Sequence, residues 1–471
     1  MNNLDRFGLS AGQLRAIVAE GLKSGGDWCD IYLEDTSYCD LLLRDGQVNS
    51  GGRHIDYGCG IRVLKGEKTG YAYSETTDYR DLLNAARAAG AIATGCAAAP
   101  LNITPAGIAS ASASPYGMAE DWRQAEARRF VPFLERIESG VRAADTRVIK
   151  VIAMLSYSVS EVVMYNSLGE LTSDCRPLGS LTVQTVFKQG DRIETRNVSR
   201  SLRTGAELLS EDVLKDLVSR AVEGIDERFE ARRPKGGRMP VVMAAGASGI
   251  LLHEAMGHAF EADFNRKGQS VFADKMGRRI CRKGIDIVDD GTVRGSRGAC
   301  AFDDEGVPGQ KTYMVTDGVL TSYLHDRISA ARYDVPPTGN GRRESFRYNP
   351  IPRMRATYME NGADGTLEDL IGSVRKGVFV KEFANGEVKI GEGDFTFYVK
   401  SGFLIENGRL TMPVKDINII GNGPDALADI SAVASDLKID EGTWTCGKEQ
   451  SVAVSCGIPS VLINKLTVGG E

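Results

Sequence analysis

The sequence predicts a multidomain α+β protein: N-terminal α/β sandwich-like units, then a β-rich C-terminal domain that carries a metal-binding helix. Three observations lead there. Apolar residues recur with period two in two separate N-terminal blocks, broken by Asp-Gly, Leu-Gly and Gln-Gly turns. Each block is flanked by segments whose apolar residues fall at helical spacing. A chain of 471 residues is also too long for one simple core, so two or three domains are expected.

The elements follow in order. Residues 11–23, "AGQLRAIVAEGLK", have helical spacing, and "WCDIYLEDTSYCDLLLRDGQVNSG" alternates as strands about an Asp45-Gly46 hairpin turn. "IDYGCGIRVLKGEKTGYAYSE" continues the sheet, and Tyr79 to Ala98 returns to helix, which completes a first α+β domain over 1–110. "ITPAGIASASASPYG" (103–117) is small, polar and proline-bearing, and reads as a linker. A middle α+β domain, 116–232, opens with a helical segment that Pro132 kinks or restarts. Strands turn at Leu168-Gly169 and Gln189-Gly190, and a closing amphipathic helix takes Ser210 as its N-cap. "RRPKGGR" marks the next boundary. The third domain, 236–471, begins with the strand "MPVVMAA", the loop "GAS" and a helix, then continues as glycine-punctuated β structure.

Composition removes several function classes. A formal net charge of -6 and a pI near 5.6 leave no basic footprint, so neither nucleic acid nor an anionic membrane is expected as a partner. The nine cysteines are scattered, odd in number and without a C-x-x-C pair, which fits a reducing cytoplasm better than a disulfide framework. "MNNLDRFGLSAGQLRAIVAEGLKSGG" has no basic segment followed by an apolar one, so no signal peptide is expected. The alanine-rich run near 82–100 is interrupted by Arg87 and too short to span a bilayer. A cytoplasmic protein is the expectation.

The stretch "SGILLHEAMGHAFEADFN" (248–265) concentrates the chemistry, with two of the four histidines and a glutamate beside the first. A catalytic zinc takes three protein ligands and keeps a position for water, whose pKa it lowers towards about 7. His253 and His258 supply two ligands, and Glu254 is placed to take the proton. The spacing is unusual. On an ideal α-helix, residues five apart diverge by roughly 140°, against roughly 40° for four apart. Both imidazoles reach one ion only if the helix is overwide or bent, and Gly257 would make that distortion cheap. His54, His325, Glu261, Asp263 and Cys446 are open as the third ligand. Cys446 stands out because Gly447 gives room and Lys448 favours a thiolate. The plain alternative is a core helix with polar trim, and Cys446 as a small buried hydrophobe. Asn340, Arg342 and Arg343 in "GNGRRES" are either oxyanion donors or a solvated turn.

Five collinear blocks, "LLHEAMGHAFEADFNRKGQSVF", "DDEGVPGQKTYMVTDGVL", "PTGNGRRES", "PIPRMRATYM" and "CGKEQSVAVSCGIPSVLINKLTVGG", closely resemble the TldD branch of the TldD/PmbA family. "LRDGQVNSGGRHIDYGCGIRV" fits that family's N-terminal domain. The resemblance implies a zinc metallopeptidase acting on unfolded peptides, held as an added strand in a narrow cleft. It implies His253, His258 and Cys446 as Zn²⁺ ligands and Glu254 as the catalytic glutamate, and it demotes His325. It also implies a dimer, either of identical chains or with a paralogue lacking the motif. "CGKEQS" is one residue shorter than the branch's C-G-K-x-G-Q form. The same family has an association with DNA gyrase modulation, so the rival expectation is a non-catalytic regulatory module with a structural metal.

Overall fold

The computed structural model describes residues 4–92, 114–389 and 391–470. The expected linker therefore lies outside the described residues up to Ala113, as does the expected helix beyond Ile92. Six antiparallel strands, β1 (Trp28–Arg44), β2 (Gln47–Lys65), β3 (Lys68–Ser74), β4 (Val148–Asn166), β5 (Leu171–Gln189) and β6 (Arg192–Leu202), form one sheet ordered β3-β2-β1-β4-β5-β6. The first two units thus share a sheet, because β1 pairs with β4 from Asp30 opposite Asn166 to Arg44 opposite Ile152. The β1–β2 turn is at Asp45-Gly46, with φ of 48° and 76°, as a two-residue hairpin turn requires.

Odd-numbered residues of β1 bury themselves under helices. Cys29, Ile31 and Leu33 pack with α1 (Ala11–Leu22) and α2 (Tyr79–Ile92). Cys39, Leu41 and Leu43 pack with α3 (Val131–Ala144) and α4 (Glu211–Val222). Helix starts follow local chemistry. Ser10 and Gln13 form a capping box, Pro132 sits in the first turn of α3 and starts that helix rather than kinking it, and Ser210 Oγ accepts from the Val213 N–H at 3.3 Å.

The even-numbered face carries charge, yet it is buried as well. Asp30, Tyr32, Glu34 and Thr36 lie beneath the third domain, where Tyr32, Val162 and Met164 pack on Phe346. Arg62, opposite Asp30 in register, pairs with it at 2.6 Å and with Glu305 of the third domain at 2.7 Å. Arg176 on β5 likewise pairs with Asp304 at 2.5 Å.

In the third domain, five strands close into a ring: β7 (Gly237–Met243), Val461–Val468, Ile417–Asn422, Asp394–Glu406 and Lys376–Lys389, the last pairing back to β7. A separate six-stranded sheet contains Ile287–Asp290, Ala356–Met359 and Ser455–Ile458. The helical segment 247–260 packs against both sheets. Leu251, Leu252, Ala255, Met256, Ala259 and Phe260 are all buried in their common core.

Glu34 accepts from Thr36 Oγ1 at 2.6 Å and from the Phe346 N–H at 2.7 Å. Burial outweighs these bonds and pushes its carboxyl from 4.5 up to about 7. A raised acid stabilises the native state while protonated. That contribution is complete below its ordinary pKa and lost as pH rises through about 7. Glu34→Gln should therefore flatten the fall in stability between about pH 5 and pH 8, and be the more stable chain at pH 8 by about 1–3 kcal/mol. Urea denaturation of both chains across that range checks it; parallel pH dependences would assign the slope to another group.

Candidate metal centre

His253–Gly257 is wound as a single π turn, and His258–Phe260 follows as a 3₁₀ turn. The His258 N–H donates to the His253 carbonyl, five residues back. This widening stacks i over i+5, as α winding stacks i over i+4. The two imidazoles consequently meet, with ring centroids 5.2 Å apart at 78°. The irregular helix expected from the spacing is present, but Gly257 serves it differently than expected. Its φ of -59° and ψ of -46° are ordinary helical values. What demands glycine is space, because an added Cβ would lie 2.1 Å from Met354 Sδ.

Cys446 arrives on the hairpin Thr445–Lys448/Gln450–Ala453, opposite Val452. Strand alternation turns Cys446 and Lys448 inward and Thr445 and Gly447 outward. The turn where the sequence runs one residue short is closed by Glu449 at φ 57°. Cys446 Sγ lies 3.3 Å from His258 Nε2. One ligand atom each from His253, His258 and Cys446 all lie within 4.8 Å of one another. A tetrahedral zinc, at about 2.0–2.1 Å from nitrogen and about 2.3 Å from sulfur, places its ligands about 3.3–3.8 Å apart. The triangle fits such an ion with small adjustment.

Hydrogen bonding points the same way. His253 is 1% exposed, yet neither ring nitrogen has a hydrogen-bond partner among the described residues, an expensive state for a buried imidazole unless a cation uses its lone pair. His258 Nδ1 lies 2.9 Å from Glu261 Oε2, so it donates there and leaves Nε2 aimed at Cys446. Burial alone would lower the His258 pKa, but Glu261 and the Cys446 sulfur more than offset it and hold it near 10. Burial alone would push the Cys446 thiol up; the His253 and His258 imidazoles outweigh it and bring it down to about 4, in favour of thiolate. Glu261 also resists burial, held at about 2 by Lys448 and His258. Lys448 Nζ donates to Glu261 at 2.9 Å and Asp263 at 2.8 Å. Glu254 is the most exposed member of the group, its side chain 23% exposed and Oε2 4.0 Å from His258 Nε2.

The remaining candidates fall elsewhere. His54 is exposed on β2 and stacks on Tyr38 with centroids 4.6 Å apart. His325 is buried beside Ser329 and Tyr333, and burial lowers its pKa to about 4. Glu261 orients a candidate ligand instead of being one, and Asp263 receives Lys448. Asn340 spends its amide on Asp289 and the Arg353 carbonyl, Arg342 bonds the Met354 and Ala453 carbonyls, and Arg343 is engaged with Asp304 and Tyr71. Lys448 is the residue whose role the sequence reading missed: its ammonium neutralises Glu261 rather than the thiol. Its signal was the two-residue spacing from Cys446, which puts both on one face of a strand.

Two imidazoles and a thiol converging beside a solvent-touching carboxylate define a metallohydrolase type of centre. Residues 236–470 match the PmbA/TldA metallopeptidase C-terminal domain, 29–93 match domain 1 and 120–225 the central domain. A metalloprotease TldD homolog of Haemophilus influenzae is 36% identical over 457 residues, 94% of this chain and 93% of that one. A zinc metalloprotease TldD homolog of Saccharolobus solfataricus is 32% identical over 298 residues, 62% of this chain and 65% of its own. A Thermotoga maritima structure, described as a candidate modulator of a DNA gyrase, superposes with TM-score 0.78 over 97% of this chain and 99% of its own. At 22% identity it shows the shared fold alone. The chain belongs to the PmbA/TldD family and is a metallopeptidase. Among the described residues, no helix is long and apolar enough to cross a membrane.

Gly257→Ala should force Met354 aside, cost about 1–3 kcal/mol and lower metal content by displacing His258. Adding Met354→Ala should restore much of the metal. Elemental analysis after dialysis, with thermal unfolding, measures both; undiminished metal in Gly257→Ala would show that the π turn tolerates a methyl group.

Proposed function

We propose that the protein is a cytoplasmic, zinc-dependent peptidase that hydrolyses unfolded or extended peptides, with Glu254 as general base. The observation that carries this reading is the buried His253, His258 and Cys446 triangle with Glu254 at its solvent side. A ligand set mixing imidazole with a soft thiolate favours zinc over harder ions, and the word zinc in the name of the Saccharolobus relative supports that choice. Bound there, zinc supplies Lewis acidity and an acidified water. Glu254, at the solvent side of the triangle, is placed to take a proton from an attacking water and pass it to the leaving amine. His258, fixed through Nδ1 by Glu261, keeps Nε2 available, and Lys448 keeps Glu261 ionised.

The extended-peptide reading is supported by the hairpin. Thr445–Lys448 has a ladder partner on one side only among the described residues; its Cys446 carbonyl already accepts from Arg353 at 2.6 Å, whereas the exposed Gly447 has open space where a side chain would stand. A peptide backbone can lie along such an edge with little regard to sequence. The eight cysteines among the described residues are all free, which supports a reducing compartment. A regulatory module with a structural metal would need no solvent-facing carboxylate and would normally close with a fourth protein ligand.

Glu254→Gln should lower turnover of an unfolded peptide by about 10²–10⁴-fold while keeping its metal. Cys446→Ser should lose metal and activity together, and Cys456→Ser neither. Wild-type turnover in Glu254→Gln would remove the peptidase mechanism; equal zinc in Cys446→Ser would move the third ligand.

A dimer, with a second copy or a paralogue lacking the motif, is part of the proposal. Residues 47–58 of β2 have β1 on one side and no partner on the other among the described residues, and Val48 and Ile55 are 50% and 62% exposed there. Ile55→Lys should shift sedimentation towards a monomer; an unchanged coefficient would place association elsewhere.

A further inference from the structure

Between the polar face of the N-terminal sheet and the third domain lies a cavity of about 180 Å³. Its wall includes Val452, whose cross-strand partner is Cys446, but none of the three candidate ligands. Arg176, Arg203, Arg342, Arg343 and Arg355 line it, against three acids, Glu34, Asp304 and Glu344. The acids are already engaged. Asp304 takes Arg176 at 2.5 Å and the Arg343 N–H at 2.8 Å, Glu344 takes the Ser451 N–H at 2.6 Å, and Glu34 takes Thr36 and Phe346.

Three of the arginines have only carbonyls. Arg203 Nε donates to the Arg297 carbonyl, Arg342 to those of Met354 and Ala453, and Arg355 to those of Gly339 and Gly298. None of the three forms an ion pair with a carboxylate among the described residues. Arg342 and Arg355 are 5% and 4% exposed. Burial, together with Arg176 in one case and Arg355 in the other, pushes Arg203 and Arg342 below the usual guanidinium range. Buried guanidinium groups that outnumber the acids around them and have no carboxylate in direct contact are costly, and an anion between them lowers that cost.

We propose that this cavity binds an oxyanion, a carboxylate or phosphate group held by forked guanidinium donors. Its volume is well above the roughly 10–15 Å³ needed to hold one water, enough for a carboxylate or phosphate group. The same chemistry serves the terminal carboxylate of a peptide or a free anion.

Thermal unfolding of the full, metal-loaded chain tests it. Inorganic phosphate should raise Tm saturably, where sodium chloride at matched ionic strength does not. In Glu254→Gln, a short peptide with a free C-terminus should do the same if the ligand is a peptide end, and its amidated form should not. A shift with phosphate alone assigns a free anion. Arg203→Met should weaken the apparent affinity at least tenfold, as expected for losing a charged hydrogen bond. Leu178→Glu, on the sheet wall of the cavity, supplies a tethered carboxylate and should abolish the shift even where Arg203→Met fails to fold. No saturable shift with any probe, or equal shifts in wild type and both variants, would overturn the proposal.

Discussion

The hydrogen bond from the His258 N–H to the His253 carbonyl sets the geometry on which the candidate metal centre depends. With α winding the same donor would find the Glu254 carbonyl, and the imidazoles would diverge by roughly 140°. One widened turn keeps both on the side facing Cys446 and leaves Glu254 on the flank that meets solvent. The surroundings fix that turn from outside. Met354 presses on Gly257, and an added Cβ at Gly423 would lie 2.1 Å from the Ala255 carbonyl. Both faces of the turn are therefore packed against glycine-sized clearances, with no slack for rewinding.

Charge at the centre is arranged in successive layers. The candidate ligand His258 leans on Glu261, Glu261 on Lys448, and Lys448 on Asp263. Cys446 and Lys448 belong to one strand, so a single hairpin delivers both the thiol and the cation that balances the carboxylate behind the opposite imidazole. A displaced hairpin would uncouple both at once. The N-terminal sheet meets the third domain by the same physics on a larger scale, with Arg62, Asp30, Glu305, Arg176 and Asp304 interlocked where water is excluded.

Much of this was legible in the sequence because it is local. Period-two alternation and Asp45-Gly46 give the hairpin, Ser210 gives a helix start, and the five-residue spacing of the histidines demands a widened turn. What was not legible depends on contacts between distant segments. Nothing near β1 announces that β4 is its neighbour. Asp30, Glu34 and Arg62 look like a solvated strand face, because alternation separates two faces without saying what covers either. Lys448 reads as a partner for its near neighbour Cys446, whereas its carboxylate belongs to Glu261, 187 residues away, the extended residue that ends the histidine-bearing helical segment. Gly257 reads as a source of flexibility, when the reason for it is a methionine sulfur brought in from residue 354.

The separation of the triangle's corners along the chain has a consequence for biosynthesis. Cys446 emerges from the ribosome 188 residues after His258. The strand Val461–Val468, which joins the ring by pairing with β7, comes later still. While the chain is being made, the two histidines and Glu254 exist without their sulfur partner and in an unclosed barrel. The candidate metal centre is therefore complete only after the C-terminal strands have been made and packed, which keeps the site unassembled on the nascent chain.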